Sequence, residues 1–110
     1  MVKWIWLTGY PEGIPFEEGE KWVLGVHAQE VKRIPGVRKY LSWKVLDVPE
    51  RPSKFARVME VWYDDLESWR HAPRSQYITS KEPWEIPLLT EPVCVDEKPE
   101  YDLLKEIPRL

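Results

Sequence analysis

His27 is a titratable ring inside an apolar helical stretch, Lys21-Trp22-Val23-Leu24-Gly25-Val26-His27-Ala28. Helical spacing places Val23 before it and Val31 and Ile34 after it on the same side. The imidazole is therefore aimed at the sheet that this helix must cover. With an ordinary pKa of about 6.5, an imidazole suits proton transfer near neutrality. A histidine on an apolar helix face is more often a satisfied core residue. Tyr40 follows a Pro35-Gly36 break and opens the next expected strand. A buried phenol can donate a hydrogen bond to a developing oxyanion or enolate. His27 as general acid/base and Tyr40 as polarising donor form the candidate catalytic pair.

The sequence has seven tryptophans: Trp4, Trp6, Trp22, Trp43, Trp62, Trp69 and Trp84. Large rings signal core or interface packing first, but several together can wall a pocket for a flat ligand. Trp4, Trp6, Trp22, Tyr63, Tyr77 and Trp84 are the candidate substrate-binding residues. Glu60 stands among apolar residues, where a carboxylate must be paired or neutralised; a structural ion pair is the simplest reading. His71 lies near the end of an expected helix, where a cation offsets the dipole. Cys94, between Val93 and Val95, reads as an inert buried thiol. His27 and His71 are the only histidines. No His/Cys/Asp cluster has metal-ligand spacing, so no metal site is expected. No glycine-rich strand-to-helix loop offers a nucleotide site. The chemistry expected is cofactor-free.

A chain of 110 residues suffices for one domain. Residues 2–8 alternate and read as a strand. Residues 9–15 are a breaker-rich loop. Residues 16–33 read as helix, with Glu17, Glu18 and Glu20 at its start and Lys32 and Arg33 at its end. Gly19 and Gly25 each weaken it by about 1 kcal/mol relative to alanine. Gly25 marks either close packing or a local bend. Residues 37–48 form a strand with Leu41, Trp43 and Val45 on one face and Arg38, Tyr40, Ser42 and Lys44 on the other. The third strand is 54–63, with Arg57, Met59, Val61 and Tyr63 opposite Ala56, Val58, Glu60 and Trp62. Asp64 or Asp65 caps a second helix ending near Ala72. Residues 74–87 read as an ordered loop with one helical turn, bordering the pocket. The fourth strand is 88–95. The expected fold is α+β, a ferredoxin-like βαββαβ domain over residues 1–95. Residues 96–110 form an arm, expected to lie on a partner subunit. Helices cover one sheet face; the bare apolar face calls for a homodimer about a two-fold axis.

Net charge is −3 with mixed signs, so nucleic-acid binding is not expected. One cysteine excludes an internal disulfide framework. No run is long and apolar enough for a membrane span, and the N-terminus lacks a secretory pattern. A cytoplasmic protein with a small-molecule ligand is the expectation.

These elements resemble the EthD-like family of the dimeric α/β-barrel superfamily over residues 2–72. The resemblance rests on the aromatic first strand, the Phe16-Glu17-Glu18 helix start and the Val26-His27-Ala28 step. It continues through Pro35-Gly36-Val37-Arg38-Lys39-Tyr40 and Met59-Glu60-Val61-Trp62-Tyr63-Asp64-Asp65. It implies a dimeric barrel and cofactor-free proton transfer on lactones, polyketides and related oxygenated rings. In the methylmuconolactone-isomerase type, the helix histidine and the post-Pro-Gly tyrosine stand where His27 and Tyr40 stand here. That type also has a strand-three cysteine, replaced here by Val61, and a second histidine with no match. Its particular reaction is therefore not expected. Three readings follow: a cofactor-free lyase, cyclase or isomerase of the polyketide-cyclase kind; a cofactor-independent monooxygenase of the antibiotic-biosynthesis type; or a non-catalytic binding or accessory protein.

Overall fold

The computed structural model describes residues 1–81, 83–84 and 88–110. Its sheet has the order β2-β3-β1-β4, with β5 also on β1; all pairings are antiparallel. The strands are β1 (Val2–Gly9), β2 (Lys39–Lys44), β3 (Phe55–Tyr63), β4 (Leu88–Leu89) and β5 (Val93–Asp96). This is the ferredoxin-like α+β arrangement. The central strand β3 places Val61 between Trp4 on β1 and Tyr40 on β2. Alternation then sends Trp4, Trp6, Met59, Val61, Tyr63 and Tyr40 to the helix side. Lys3, Ile5, Glu60, Trp62, Leu41 and Trp43 face the other way.

The expected first helix is three pieces in series. α1 (Phe16–Trp22) passes into a π-helical turn (Val23–His27), followed by α2 (Ala28–Val31). The backbone N–H of Ala28 donates to the carbonyl of Val23, five residues back. Gln29 donates its side-chain Nε2 to the carbonyl of Leu24 at 3.2 Å, across the same turn. Gly25 is exposed, and a side chain there would meet nothing. It marks the bend, not close packing. Gly19 is the close-packing glycine: a Cβ there would lie 2.3 Å from the Tyr10 ring. Val23, Val31 and Ile34 are all buried, as their spacing predicts. Gly36, with φ of 96°, turns the chain out of the helix.

α3 (Leu66–His71) is capped by Asp65, whose carboxylate accepts from the Ser68 N–H at 2.7 Å. Asp64 instead takes a two-pronged contact from Arg38 at 3.0 and 2.9 Å. α4 (Arg74–Tyr77) is the single turn expected in the long connection. Parts of that connection, Glu82 and 85–87, lie outside the described residues.

The expected fourth strand is divided. β4 pairs with Thr8 and Gly9, and β5 with residues 2–5. Between the two pairings β1 contributes two residues, Trp6 and Leu7, while the edge strand contributes three: Thr90, Glu91 and Pro92. The extra residue makes a bulge, and proline has no N–H to give the ladder. Thr90 bridges the gap: its N–H donates to Leu7 O at 2.9 Å and its Oγ1 accepts from Leu7 N at 2.8 Å.

On the face without helices, Trp62 is sandwiched by Lys3 and Lys39, at 5.1 and 4.5 Å from its ring centroid. Its indole N–H donates to Glu60 at 2.9 Å, and Lys3 pairs with Glu60 at 3.5 Å. The lysine stems bury Trp62 without a partner chain. Beyond Asp96 the chain continues without helix or strand, exposing Leu103, Leu104, Ile107 and Leu110.

Candidate functional site

The helix-covered face holds an apolar cavity of about 480 Å³. Trp4 and Trp6 of β1 form its floor with Val61 and Tyr63 of β3. His27, Val31 and Ile34 come from the helical side, Trp69, Arg74 and Ile78 from the α3–α4 region, and Glu91 and Pro92 from the bulge. Such a volume suits a small ligand of one or two rings. A larger depression of about 860 Å³ lies on the opposite face, between the sheet and the arm. It is lined by Lys3, Ile5, Val95 and residues 96–100, with no histidine or tyrosine among them. Proton-transfer chemistry therefore points to the smaller cavity.

The π-helical turn sets the position of His27. Widening one turn brings residues five apart toward one face, and Trp22 and His27 stack at 5.2 Å with planes 14° apart. His27 thus has one face on Trp22 and borders the cavity as well. It also borders a narrow cleft of about 40 Å³ beside Trp22, Trp84 and Met59. Trp84 meets Trp22 edge-on at 5.5 Å and Tyr10 at 5.8 Å. The Trp4 indole packs on Trp69 at 4.4 Å, and its buried Nε1 has no hydrogen-bond partner among the described residues.

Arg74 sets the charge of the site. Its guanidinium lies over the Trp69 ring at 4.6 Å and donates through Nη1 to the Trp69 carbonyl. No described carboxylate forms an ion pair with it. Burial raises the Tyr63 phenol above its ordinary value, and a hydrogen bond from Arg74 pulls it partly back. Glu30 secures the chain that follows α4. Its carboxylate accepts from Thr79 N at 3.0 Å, Thr79 Oγ1 at 2.8 Å and Ser80 N at 3.2 Å. These bonds hold Glu30 below the usual carboxylate range.

The structure brings His27, Trp4, Trp6 and Tyr63 together around the cavity. It places Trp22 and Trp84 in the narrow cleft behind His27. Tyr77 packs against the core cluster and is not among the lining residues. Tyr40 is not either. It packs against the cluster of Val31, Ile34, Val61 and Tyr63, with Val61 between it and Trp4 in the sheet register. Its hydroxyl is buried without a partner among the described residues, and burial pushes its pKa up to about 12. The cavity brings His27 together with Tyr63 and Arg74, while Tyr40, the other member of the candidate pair, is not among its lining residues. Trp69, Arg74, Glu91 and Pro92 are lining residues that the sequence reading did not single out. Pro92 inside an otherwise strand-like run was the available signal of a bulge.

His71 is exposed, and its Nδ1 lies 2.8 Å from the Glu67 carbonyl in the last turn of α3. Cys94 is a half-buried free thiol raised by burial. No group of three or more potential ligands is arranged for a metal ion among the described residues. None of the described helices is long and apolar enough to cross a membrane.

The overall arrangement has solved relatives. A crystal structure of an ethyl tert-butyl ether D (EthD) family protein from Bacillus halodurans matches with a TM-score of 0.66 and 27% identity. The match covers 89% of this chain and 99% of that one. A protein from Arabidopsis thaliana matches with a TM-score of 0.53 at 16% identity, over 92% of this chain and 97% of that one. The second shows the fold alone. No family model matches the chain, and no curated protein does. The chain has an EthD-like fold.

Proposed function

We propose that this protein is a cofactor-free acid-base catalyst, of the lyase, cyclase or isomerase kind, acting on a small ring-bearing substrate. The observation that supports it is a titratable His27 on the wall of an aromatic cavity otherwise lined mainly by apolar groups. In that setting an imidazole can take a proton from carbon next to a carbonyl and return it elsewhere on the same molecule. Trp4, Trp6 and Trp69 exclude water and hold the ring. Tyr63 and Arg74 are the donors available to the developing enolate oxygen.

Proton exchange on 2-tetralone, an enolisable ketone fused to an aromatic ring, tests this by NMR in deuterated water. Wild-type protein should accelerate exchange, and His27→Ala should lose about 10²- to 10⁴-fold while remaining folded. The rate should also show a pH limb set by the imidazole, and His27→Ala should lose that limb. A His27→Ala protein that exchanges as fast as wild type would end the catalytic reading.

The Trp22 stack favours a second reading, a non-catalytic small-molecule binder in which His27 is a packed ring. That reading expects His27→Ala to lower the melting temperature and leave ligand binding unchanged.

The same proposal includes a homodimer formed through the helix-free sheet face. Leu41, Trp43, Val93 and Val95 are all exposed there. Large apolar side chains exposed on one sheet face are the kind of surface that a partner covers. The arm from residue 96 onward would lie on the second copy and cover Leu103, Leu104 and Ile107. Light scattering at micromolar concentration should give twice the chain mass, and a stable monomer would refute the pairing.

A further inference from the structure

We infer that the cavity selects a flat, ring-bearing carboxylate, with Arg74 as the residue that reads its charge. The inference rests on the cavity being the ligand site, and it adds the class of ligand. Arg74 carries the only full positive charge among the described lining residues, apart from any proton on His27. Its guanidinium is fixed on two sides, by the Trp69 ring beneath it and by the Trp69 carbonyl at Nη1. A guanidinium has five N–H donors, so one carbonyl leaves several available. No described carboxylate pairs with it. The cluster formed by Arg57 and Glu20 shows the contrast: there the protein supplies the anion itself, at 2.7 Å. At Arg74 no described side chain supplies one.

The rest of the lining accords with that ligand. Trp4 and Trp6 line the cavity with aromatic rings, Trp69 supports Arg74 from below, and the planar fork of arginine matches a carboxylate in two-pronged geometry. Glu91, brought to the wall by the bulge, opposes a second negative charge. A dianion is disfavoured and a monocarboxylate is admitted.

Isothermal titration with 2-naphthoate and its neutral isostere 2-naphthamide tests the inference without any turnover. Wild type should bind naphthoate about 10- to 100-fold more tightly, the range of a charge-assisted hydrogen bond. Arg74→Met should abolish that preference, bringing naphthoate down to the affinity of naphthamide in the same variant. Arg74→Lys should retain part of it, as a point charge without the fork. Glu91→Gln should tighten naphthoate by about two- to fivefold, as expected for removing one exposed like charge. His27→Ala should keep the preference, which separates ligand selection from proton transfer. If Arg74→Met does not fold, the lysine and Glu91→Gln variants carry the test. Equal affinity for the two probes in wild type, or loss of both together in Arg74→Met, overturns the inference and leaves the cavity as a ring site. Failure of both probes to bind wild type overturns the cavity reading itself.

Discussion

Glu20 and His27 lie about two turns apart on one helical segment and face the same side of the sheet. Their surroundings differ in kind. Glu20 accepts from Arg57 Nε and Nη2 at 2.9 and 2.7 Å and from the Tyr10 hydroxyl, while Arg57 Nη1 donates onward to Ser42 at 3.2 Å. Polar groups there are matched to one another and lie outside the 480 Å³ cavity. Around His27 lie an open volume, a buried Trp4 Nε1 with no partner among the described residues and an arginine that no described carboxylate pairs. A polar cluster closed on itself holds a fold together. Polar groups placed around open space are the arrangement on which the proposed ligand site rests.

That contrast can be broken most forcefully at Arg57. Arg57→Met leaves Glu20 half-buried with only Tyr10 as a described hydrogen-bond donor. The expected loss is about 2 to 4 kcal/mol, below the full cost of breaking a deeply buried pair because this one is partly solvated. Urea denaturation reads that loss, and titration with 2-naphthoate should stay at the wild-type affinity. The pH dependence carries the same sign. Burial alone would raise the Glu20 carboxyl, but hydrogen bonds from Arg57 and Tyr10 outweigh it and hold the group below its ordinary value. A depressed carboxyl stabilises the fold above its unfolded pKa of about 4.3, and that contribution is lost as pH falls through the folded value. Asp64, Asp65, Glu30 and Glu97 are lowered too and share the acid limb. Glu20→Gln should therefore shallow the acid limb without removing it. An acid limb identical to wild type would show that the Glu20 cluster is not the structural anchor assigned to it.

The parts of this contrast that pattern alone could reach follow a physical rule. Faces were readable because alternation is local: Val61 and Tyr63 fall opposite Glu60 and Trp62 by the pleat alone, and the pairings agree. Val23, Val31 and Ile34 were readable for the same reason along the helix. The π-helical turn was not, because Gly25 signals a weak point without saying how the turn widens. The Glu20–Arg57 pair was hidden too, since it joins residues 37 positions apart. Arg74 and Glu91 reach the cavity from a single helical turn and from a bulge. Neither has a period from which its direction can be read. For Tyr40, alternation gives the face but not on which side of Val61 the cavity opens.

Tyr40→Phe is the smallest expected change and the sharpest test of that last point. The hydroxyl it removes is buried without a partner among the described residues, and burial pushes its pKa up to about 12. Removing a polar group that lacks its hydrogen bond relieves a desolvation cost, so stability should stay level or rise by up to about 1 kcal/mol. Since Tyr40 is not among the lining residues, exchange on 2-tetralone and the preference for 2-naphthoate should both match wild type. A role in polarising the substrate would instead cost about 10²- to 10³-fold in turnover, the loss seen for one oxyanion donor. The same substitution at Tyr63 provides the control, because that hydroxyl lies beside Arg74. Tyr63→Phe should slow exchange where Tyr40→Phe does not. The opposite result would move the active volume across Val61, toward β2.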